Sequence, residues 1–505
     1  MRGIFTSVTD LRRKVFTEVA RMAYEGGDYA RKIEELPFRI LPGERANYRT
    51  SIFLERAIIG ERLRLAIGLP LRKASECTSL SSGIEESAIA EKYYDAPLIN
   101  VIKFACNSCD EKKIFVSDGC RGCLAHPCTE VCPVHAVSIQ NGKSIIDQES
   151  CIKCGRCKDI CQYQAIIKQE RPCAAACGMD AIGTDEFGRA EIDQNKCVSC
   201  GMCLVNCPFG AIVDKGQIFQ TIHAIKEGYR VYAAVAPAFV GQFGPKVTPG
   251  KLRKAMKELG FYDVVEVAVG ADLCATDEAK DFIENVPDKH PFMATSCCPA
   301  WSVMAKKLFP DLKKCISMTM TPMVLTGRLI KMQNPDAKVV FVGPCAAKKL
   351  EASRKSVRSD IDFVLTFEEM MGFFHAKAID LENIEEEKEL SEASRDGRNF
   401  AISGGVAEAV ANCIKELYPE KKEDIRIEKA QGLRDCRKLL MLAKTGKYNG
   451  YLLEGMACPG GCVAGAGTLQ MITKSTDAVK QYAKDAEYPN CYQNTYLEHL
   501  DTLNE

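Results

Sequence analysis

Five cysteines in three short, widely separated segments are the residues of this chain best suited to redox chemistry. They lie in TSCCPAW (295–301), GPCAAKK (343–349) and EGMACPGGC (454–462). Each segment contains proline or glycine, which favours tight turns whose thiolates and backbone amides can converge on a buried inorganic centre. Four thiolates hold one cubane iron–sulfur cluster. The segments supply four such ligands and leave Cys297 as a neighbouring free thiol; the ligands are Cys298, Cys345, Cys458 and Cys462.

A second set of cysteines, between residues 101 and 215, has the spacing of ferredoxin ligands. Two runs follow the Cys-x2-Cys-x2-Cys-x3-Cys pattern of bacterial ferredoxins, and a third run is a looser variant of it. One further CxxC pair and one CxxxC pair complete the set. The sixteen cysteines predict four 4Fe–4S clusters at four thiolates each. They are Cys106, Cys109, Cys120, Cys123, Cys128, Cys132, Cys151, Cys154, Cys157, Cys161, Cys173, Cys177, Cys197, Cys200, Cys203 and Cys207.

The ligands can be grouped by the ferredoxin rule that the fourth cysteine of one motif binds the cluster of the other. The rule groups Cys120, Cys123 and Cys128 with Cys161; Cys151, Cys154 and Cys157 with Cys132; and Cys197, Cys200 and Cys203 with Cys177. Elimination leaves Cys106, Cys109, Cys173 and Cys207 as the fourth set. A zinc ribbon is the alternative, because the two CxxC pairs between residues 106 and 123 also have ribbon spacing. That site would leave fewer clusters.

Composition limits the classes of function. The formal net charge is zero, which gives no electrostatic reason to expect nucleic acid or an anionic membrane as a partner. No apolar run is long enough to insert into a bilayer. The chain has 27 cysteines, an odd number, and most fall in CxxC and CxxxC runs. This spacing favours metal coordination in a reducing cytoplasm over an extracellular disulfide framework.

The length of 505 residues is enough for about three domains. We predict a small helical N-terminal domain over residues 1–100 and a ferredoxin-like multi-cluster domain over 101–215. Residues 216–505 alternate strand-like and helix-like segments and predict an α/β domain with its chemistry at strand ends. The predicted strands are Val231–Val235, Val264–Val269, Val339–Val342 and Tyr451–Leu453. The charge-rich stretch Leu381–Arg398 is interpreted as a solvated surface insertion.

The three catalytic segments together resemble the signature of the iron-only, or FeFe, hydrogenases, over roughly residues 216–505. The resemblance implies a catalytic domain of that type holding an H-cluster. This cofactor is a 4Fe–4S cubane linked to a two-iron unit that carries carbon monoxide, cyanide and a bridging amine dithiolate. The resemblance also implies that Cys462 is the bridge, and that Cys298, Cys345 and Cys458 hold the rest of the cubane.

Other site residues follow from the same resemblance. Lys348 and the pair Pro237-Ala238 would lie beside the two cyanides, and Met456 would pack on the two-iron unit. Cys297 would carry protons, with a path continuing through Glu278 to Thr321 and Asp281. Two departures, Gly343 for a methionine and Ala238 for a serine, indicate a divergent subgroup resembling the group B enzymes.

The activity implied is the reversible interconversion of molecular hydrogen with protons and electrons, the electrons passing through the accessory clusters. The implied partners are a ferredoxin or similar electron carrier and the H-cluster maturation enzymes. Two other classes stay open. One is a hydrogen sensor that keeps the cofactor, and the other is a non-catalytic homologue acting in iron–sulfur assembly.

Overall fold

The structure of the protein, a computed structural model, describes residues 3–93, 96–390, 392–421 and 425–504. Its N-terminal part is helical, as predicted. The helices are α1 (Ser7–Glu25), α2 (Tyr29–Ile40), α3 (Ile52–Ala66) and α4 (Ile84–Ser87). They bury apolar side chains in the same core as the catalytic sheet, and α1 packs closely on a later helix, with Phe16 against Gly372. These helices therefore form an outer layer of the catalytic domain.

The cysteine-rich region contains only short elements. They are β1 (Ile99–Val101), β2 (Lys113–Val116), α5 (Pro127–Glu130), β3 (Val137–Gln140), β4 (Lys143–Ile146), α6 (Arg156–Ile160), β5 (Ile166–Gln169), α7 (Pro172–Ala175), β6 (Ile182–Thr184), β7 (Ala190–Ile192), α8 (Met202–Asn206) and β8 (Ile212–Asp214). The strands form four antiparallel pairs: β1 with β8, β2 with β5, β3 with β4, and β6 with β7. The pair β2–β5 brings the two ends of the segment 113–169 together. This segment, the inserted unit, contains the cysteine motifs at 120–132 and 151–161. It lies between two parts of an outer unit, which contains the motif cysteines at 106–109 and at 173–207.

The remaining residues form an α/β domain, which confirms the predicted class. Its first half contains α9 (Ile218–Lys226), β9 (Val231–Val235), α10 (Pro249–Glu258), β10 (Asp263–Glu266), α11 (Ala268–Asn285), β11 (Met293–Ala294), α12 (Pro299–Leu308) and α13 (Pro322–Gln333). Its second half contains β12 (Lys338–Gly343), α14 (Ala347–Glu351), β13 (Phe363–Thr366), α15 (Phe367–Ala376), α16 (Arg395–Asn399), α17 (Gly405–Leu417), β14 (Arg426–Gln431), α18 (Leu433–Lys444), β15 (Tyr451–Met456), α19 (Ile472–Lys484) and α20 (Leu500–Asn504).

Two parallel sheets organise this domain. One has the strand order β10-β9-β12-β13 and the other β11-β15-β14. Every residue of β9 is buried, as expected for a parallel strand covered on both faces. The predicted strand at Val264–Val269 is shorter than expected, because the chain has already entered α11 by Ala268. The other three predicted strands are confirmed.

The interpretation of Leu381–Arg398 as a solvated insertion is wrong for its C-terminal part. Arg398 is buried and forms an ion pair with Glu266 at 3.0 Å. Its guanidinium also lies 3.8 Å from the ring centroid of Tyr482. A charged residue is retained in the core here because a carboxylate, backbone carbonyls and an aromatic face surround it.

Candidate catalytic pocket and iron–sulfur chain

The three catalytic segments meet at the carboxyl ends of parallel strands. Cys297 and Cys298 follow β11, Cys345 follows β12, and the Cys458–Cys462 turn follows β15. Hydrogen bonds join the segments: the amide of Ala457 donates to Cys298 Sγ at 3.5 Å. The amide of Gly467 donates to the carbonyl of Pro344 at 2.8 Å. The predicted convergence at strand ends is confirmed.

The segments line one apolar pocket. All four predicted cubane ligands line it, together with Cys297, Lys348, Met456 and the pair Pro237-Ala238. Most of the other lining residues are alanine, proline, glycine, valine and phenylalanine. Four thiols in an apolar chamber with one ammonium group suit an anionic iron–sulfur centre, since thiolates are the ligands of such clusters and the lysine balances charge. The residues present therefore fit the implied cofactor.

Lys348 is the cation of the pocket. Burial alone would lower the pKa of its ammonium, but the carboxylate of Glu351 and the nearby cysteines raise that pKa above its ordinary value. Lys348 Nζ forms an ion pair with Glu351 at 2.7 Å and donates to the carbonyl of Cys297 at 3.2 Å. The charge is thus fixed in position beside the cysteines.

Glu278 is the buried acid next to Cys297. It lies on α11, is fully buried, and accepts a hydrogen bond from the amide of Ser296 at 3.3 Å. Its other oxygen has no partner among the residues that the structure describes. Burial raises the pKa of this carboxyl to about 8, so it can both accept and donate a proton near neutral pH. Burial also raises the pKa of the Cys297 thiol, and the charge of Glu278 raises it further.

The structure places Thr321 differently from the predicted path. Its hydroxyl donates to Glu351 at 2.6 Å, so Thr321 belongs to the group around Lys348. The hydroxyl of Ser317 lies near Glu278 and lowers the pKa of its carboxyl, which favours the charged form. The stretch 317–321 carries three hydroxyl groups at alternate positions, so the sequence alone does not distinguish them. In the structure Ser317 interacts with Glu278 and Thr319 with Asp277, both of which lie on α11.

Asp281 lies one turn beyond Glu278 on α11 and is half-buried. The side-chain amide of Asn285 donates to its carboxylate at 2.7 Å. Burial raises the pKa of Asp281, and this hydrogen bond opposes the shift. Asp281 therefore stands where a proton from the interior would reach the protein surface.

Two glycines let aromatic rings approach the strand ends. A Cβ atom at Gly455 would lie 2.2 Å from the ring of Trp301, which is fully buried and donates to the carbonyl of Thr295. Trp301 thus connects the first catalytic segment to the third by packing. A Cβ atom at Gly343 would lie 2.5 Å from the ring of Phe341.

The accessory cysteines form four equivalent turns. In the first CxxC of each group the residue before the second cysteine is left-handed, with φ between 46° and 58°; these residues are Ser108, Gly122, Lys153 and Ser199. The residue three positions after each fourth cysteine is left-handed too, with φ between 50° and 59°; these are His135, Gln164, Asp180 and Gly210. Amides four residues on donate to Sγ of Cys132, Cys177 and Cys207. Such N–H donors to sulfur are typical of cluster ligands.

The positions bring together several cysteines that the sequence places in one set. Cys106, Cys109, Cys173 and Cys207, grouped from sequence only by elimination, line one small cavity. The charge of Cys177 reaches Cys200 and Cys203, and that of Cys132 reaches Cys157. This arrangement disfavours the zinc ribbon, because Cys106 and Cys109 belong with α7 and the end of α8, whereas Sγ of Cys120 accepts from the amide of Ser144.

The positions also give the sets an order. Cys200 lines the catalytic pocket together with Cys345. Cys203 lies close enough to Cys173 for their charges to interact, which connects the next set. In the inserted unit Cys154 is exposed, whereas the other fifteen motif cysteines are buried or half-buried. Two of the four sets are thus placed in order behind the pocket, and the inserted unit carries the exposed cysteine.

Buried structural thiols are the default expectation for the six cysteines without motif spacing, which are Cys77, Cys274, Cys315, Cys413, Cys436 and Cys491. This is confirmed for Cys274, Cys315 and Cys436, but Cys77 is exposed. Cys413 and Cys491 form a disulfide in the structure, with Cα atoms 6.8 Å apart. The expectation of free thiols is wrong for this pair because α17 and the C-terminal segment, 78 residues apart in sequence, pack side by side. Within the described ranges, no helix is both long and apolar enough to cross a membrane.

Comparison with known proteins identifies the domains. Residues 229–466 match the family "Iron only hydrogenase large subunit, C-terminal domain", and residues 144–167 and 189–212 each match a 4Fe–4S binding domain. Iron hydrogenase 1 of Clostridium pasteurianum is 30% identical over 289 residues, covering 49% of this chain and 50% of that protein. Cytosolic iron–sulfur assembly component 3 of Mus musculus is 27% identical over 295 residues, covering 47% of this chain and 60% of that protein.

A solved structure of apo FeFe-hydrogenase HydA1 from Chlamydomonas reinhardtii has a TM-score of 0.47 and 22% identity; the match covers 54% of this chain and 89% of that one. The chain spans between half and two thirds of the length of the two curated relatives above. Residues 229–466 are therefore similar to an iron-only hydrogenase domain, and two segments before them are similar to 4Fe–4S binding domains. The same part of the chain is also similar to an iron–sulfur assembly component.

Proposed function

We propose that this protein is a cytoplasmic hydrogenase that interconverts molecular hydrogen with protons and electrons at an H-cluster. The observation that carries the proposal is the single apolar pocket in which four cysteine ligands meet Lys348 and the thiol of Cys297. When bound, the cofactor supplies the redox chemistry. The sixteen accessory cysteines hold four 4Fe–4S clusters that connect it to the surface.

The protein's own residues hold the cofactor and move the protons. Cys298, Cys345, Cys458 and Cys462 would hold the cofactor. Lys348 neutralises negative charge on the bound group, and Met456 and Pro237-Ala238 exclude water from it. A proton passes between the Cys297 thiol and the Glu278 carboxyl, then by way of Ser317 to Asp281 and solvent.

Electrons arrive at the exposed Cys154 end of the inserted unit from a ferredoxin or similar small carrier. Ile152, next to this end, is 59% exposed, and Lys153 and Arg156 lie in the same turn. An apolar side chain between cations suits a carrier with an acidic surface. Maturation enzymes would act as further partners, because the two-iron unit must be delivered to the pocket.

A role in iron–sulfur assembly without catalysis is the second candidate, and the similarity to an assembly component favours it. Infrared spectroscopy of the matured protein separates the two. The hydrogenase proposal predicts absorption bands of metal-bound carbon monoxide and cyanide, together with hydrogen evolution. Iron–sulfur clusters without such bands would overturn it in favour of assembly.

A further inference from the structure

The catalytic pocket has a wall that the cysteine segments do not supply. Phe341 lies on β12 and lines the pocket, and its exposed fraction is only 3%. Residues 341 and 343 point to the same face of the strand, because side chains alternate along a strand. The ring therefore lies directly over Gly343, two residues before the ligand Cys345.

Gly343 has no room for a side chain while this ring is present. A Cβ atom at this position would lie 2.5 Å and 2.6 Å from two ring carbons, and 3.1 Å from Cβ of Ala236. Real Cβ atoms do not approach other atoms so closely in a packed interior. The ring thus occupies the space into which a side chain at 343 would extend, and Ala236, next to Pro237, borders the same space.

We propose that Phe341 is a positioning residue that sets the room left beside the two-iron unit for a small uncharged ligand such as carbon monoxide. The inference rests on the proposed function, since it needs the cofactor in the pocket. An aromatic ring is wide and stiff, and the strand fixes its origin, so it makes a firmer wall than a flexible side chain would. The glycine at 343 is the condition that allows the ring to lie there.

The test combines two measurements on the full-length protein. In protein made without maturation enzymes, Gly343→Ala should lower the melting temperature, and adding Phe341→Leu should recover part of the loss. This non-additivity is the signature of two residues that share one space. Additive effects, or a Gly343→Ala variant as stable as wild type, would overturn the packing part of the inference.

In matured protein, Phe341→Leu should keep the carbonyl and cyanide infrared bands but shift them, and should change the carbon monoxide concentration for half-inhibition on the order of 10-fold. The matched control is Phe363→Leu, a fully buried phenylalanine on the adjacent strand β13 that does not line the pocket. Its bands and inhibition should equal those of wild type.

The outcomes separate this inference from the proposed function. Wild-type bands and wild-type inhibition in Phe341→Leu would overturn the inference alone. Equal shifts in Phe341→Leu and Phe363→Leu would do the same, because they would indicate a general loosening of the sheet. Wild-type protein without any bands would overturn the proposed function and the ligand part of the inference together, and the stability measurement would still decide the packing.

Discussion

The iron–sulfur domain and the catalytic pocket both use cysteines in tight turns, but they are built in opposite ways. The accessory ligands come from four copies of one local turn, with the same left-handed positions in each copy. The catalytic ligands come from three unlike segments that meet only through the strands β11, β12 and β15. Loss of one turn in the accessory domain should therefore leave the other turns intact. Loss of any one segment of the pocket should disrupt the whole pocket, because no other segment can replace it.

The largest effect is expected at Cys297, because the accessory domain contains no comparable thiol beside its cluster ligands. Cys297→Ala should keep the infrared bands of the cofactor and lose about 10²–10⁴-fold in hydrogen evolution, since a positioned proton carrier contributes that much. Cys274→Ala, a buried thiol one turn before Glu278, is the matched control and should remain active. Near-full turnover of Cys297→Ala would show that this thiol does not carry protons.

Glu278→Gln should cost about 10²-fold for the same reason, because an amide of the same shape cannot relay the proton. Burial raises the pKa of Glu278 to about 8, so the wild-type carboxyl is protonated below that pH and charged above it. Hydrogen evolution, which needs the protonated form, should therefore fall above about pH 8. The residual activity of Glu278→Gln should lack this fall, and an unchanged pH profile would exclude Glu278 from the path.

A smaller loss of activity should distinguish the hydroxyl group of Ser317 from that of Thr321. Ser317→Ala removes the hydroxyl beside Glu278 and should slow hydrogen evolution on the order of 10-fold. Thr321→Val removes the hydrogen bond to Glu351 and should shift the infrared bands through Lys348 while leaving the pH profile intact. The reverse result would restore the path predicted from sequence.

The smallest effect on the active centre is expected in the inserted unit. Cys154→Ser should remove about four of roughly twenty irons per chain, because one cluster of five loses a ligand. The infrared bands and most of the activity with a small chemical reductant should remain. Cys298→Ser, by contrast, should abolish the bands. Loss of the bands in both variants would show that the accessory domain is not independent of the pocket.

The same contrast explains what the sequence could predict. Spacing alone gave the sixteen accessory cysteines, because a CxxC turn is determined by the residues within it. The four catalytic ligands were identified because their segments carry proline, glycine and cysteine together. Ser317 and Phe341 were missed, since neither stands at a fixed offset from a cysteine and each acquires its position from the packing of another element. Arg398 was misjudged because its partner Glu266 is 132 residues away.

Because the inserted unit lies inside the outer unit of the accessory domain, it can be removed without separating the two parts of the outer unit. The first and last residues of the inserted unit, Lys113 and Gln169, are directly paired across β2 and β5. Nearby, the buried Arg171 holds the outer unit together by donating to the carbonyls of Cys109 and Gly188. The insert can thus be excised and its ends rejoined over a short gap. Under the proposed function, deletion of this insert removes two of the four accessory clusters from the electron path and leaves a different cluster as the entry point for electrons.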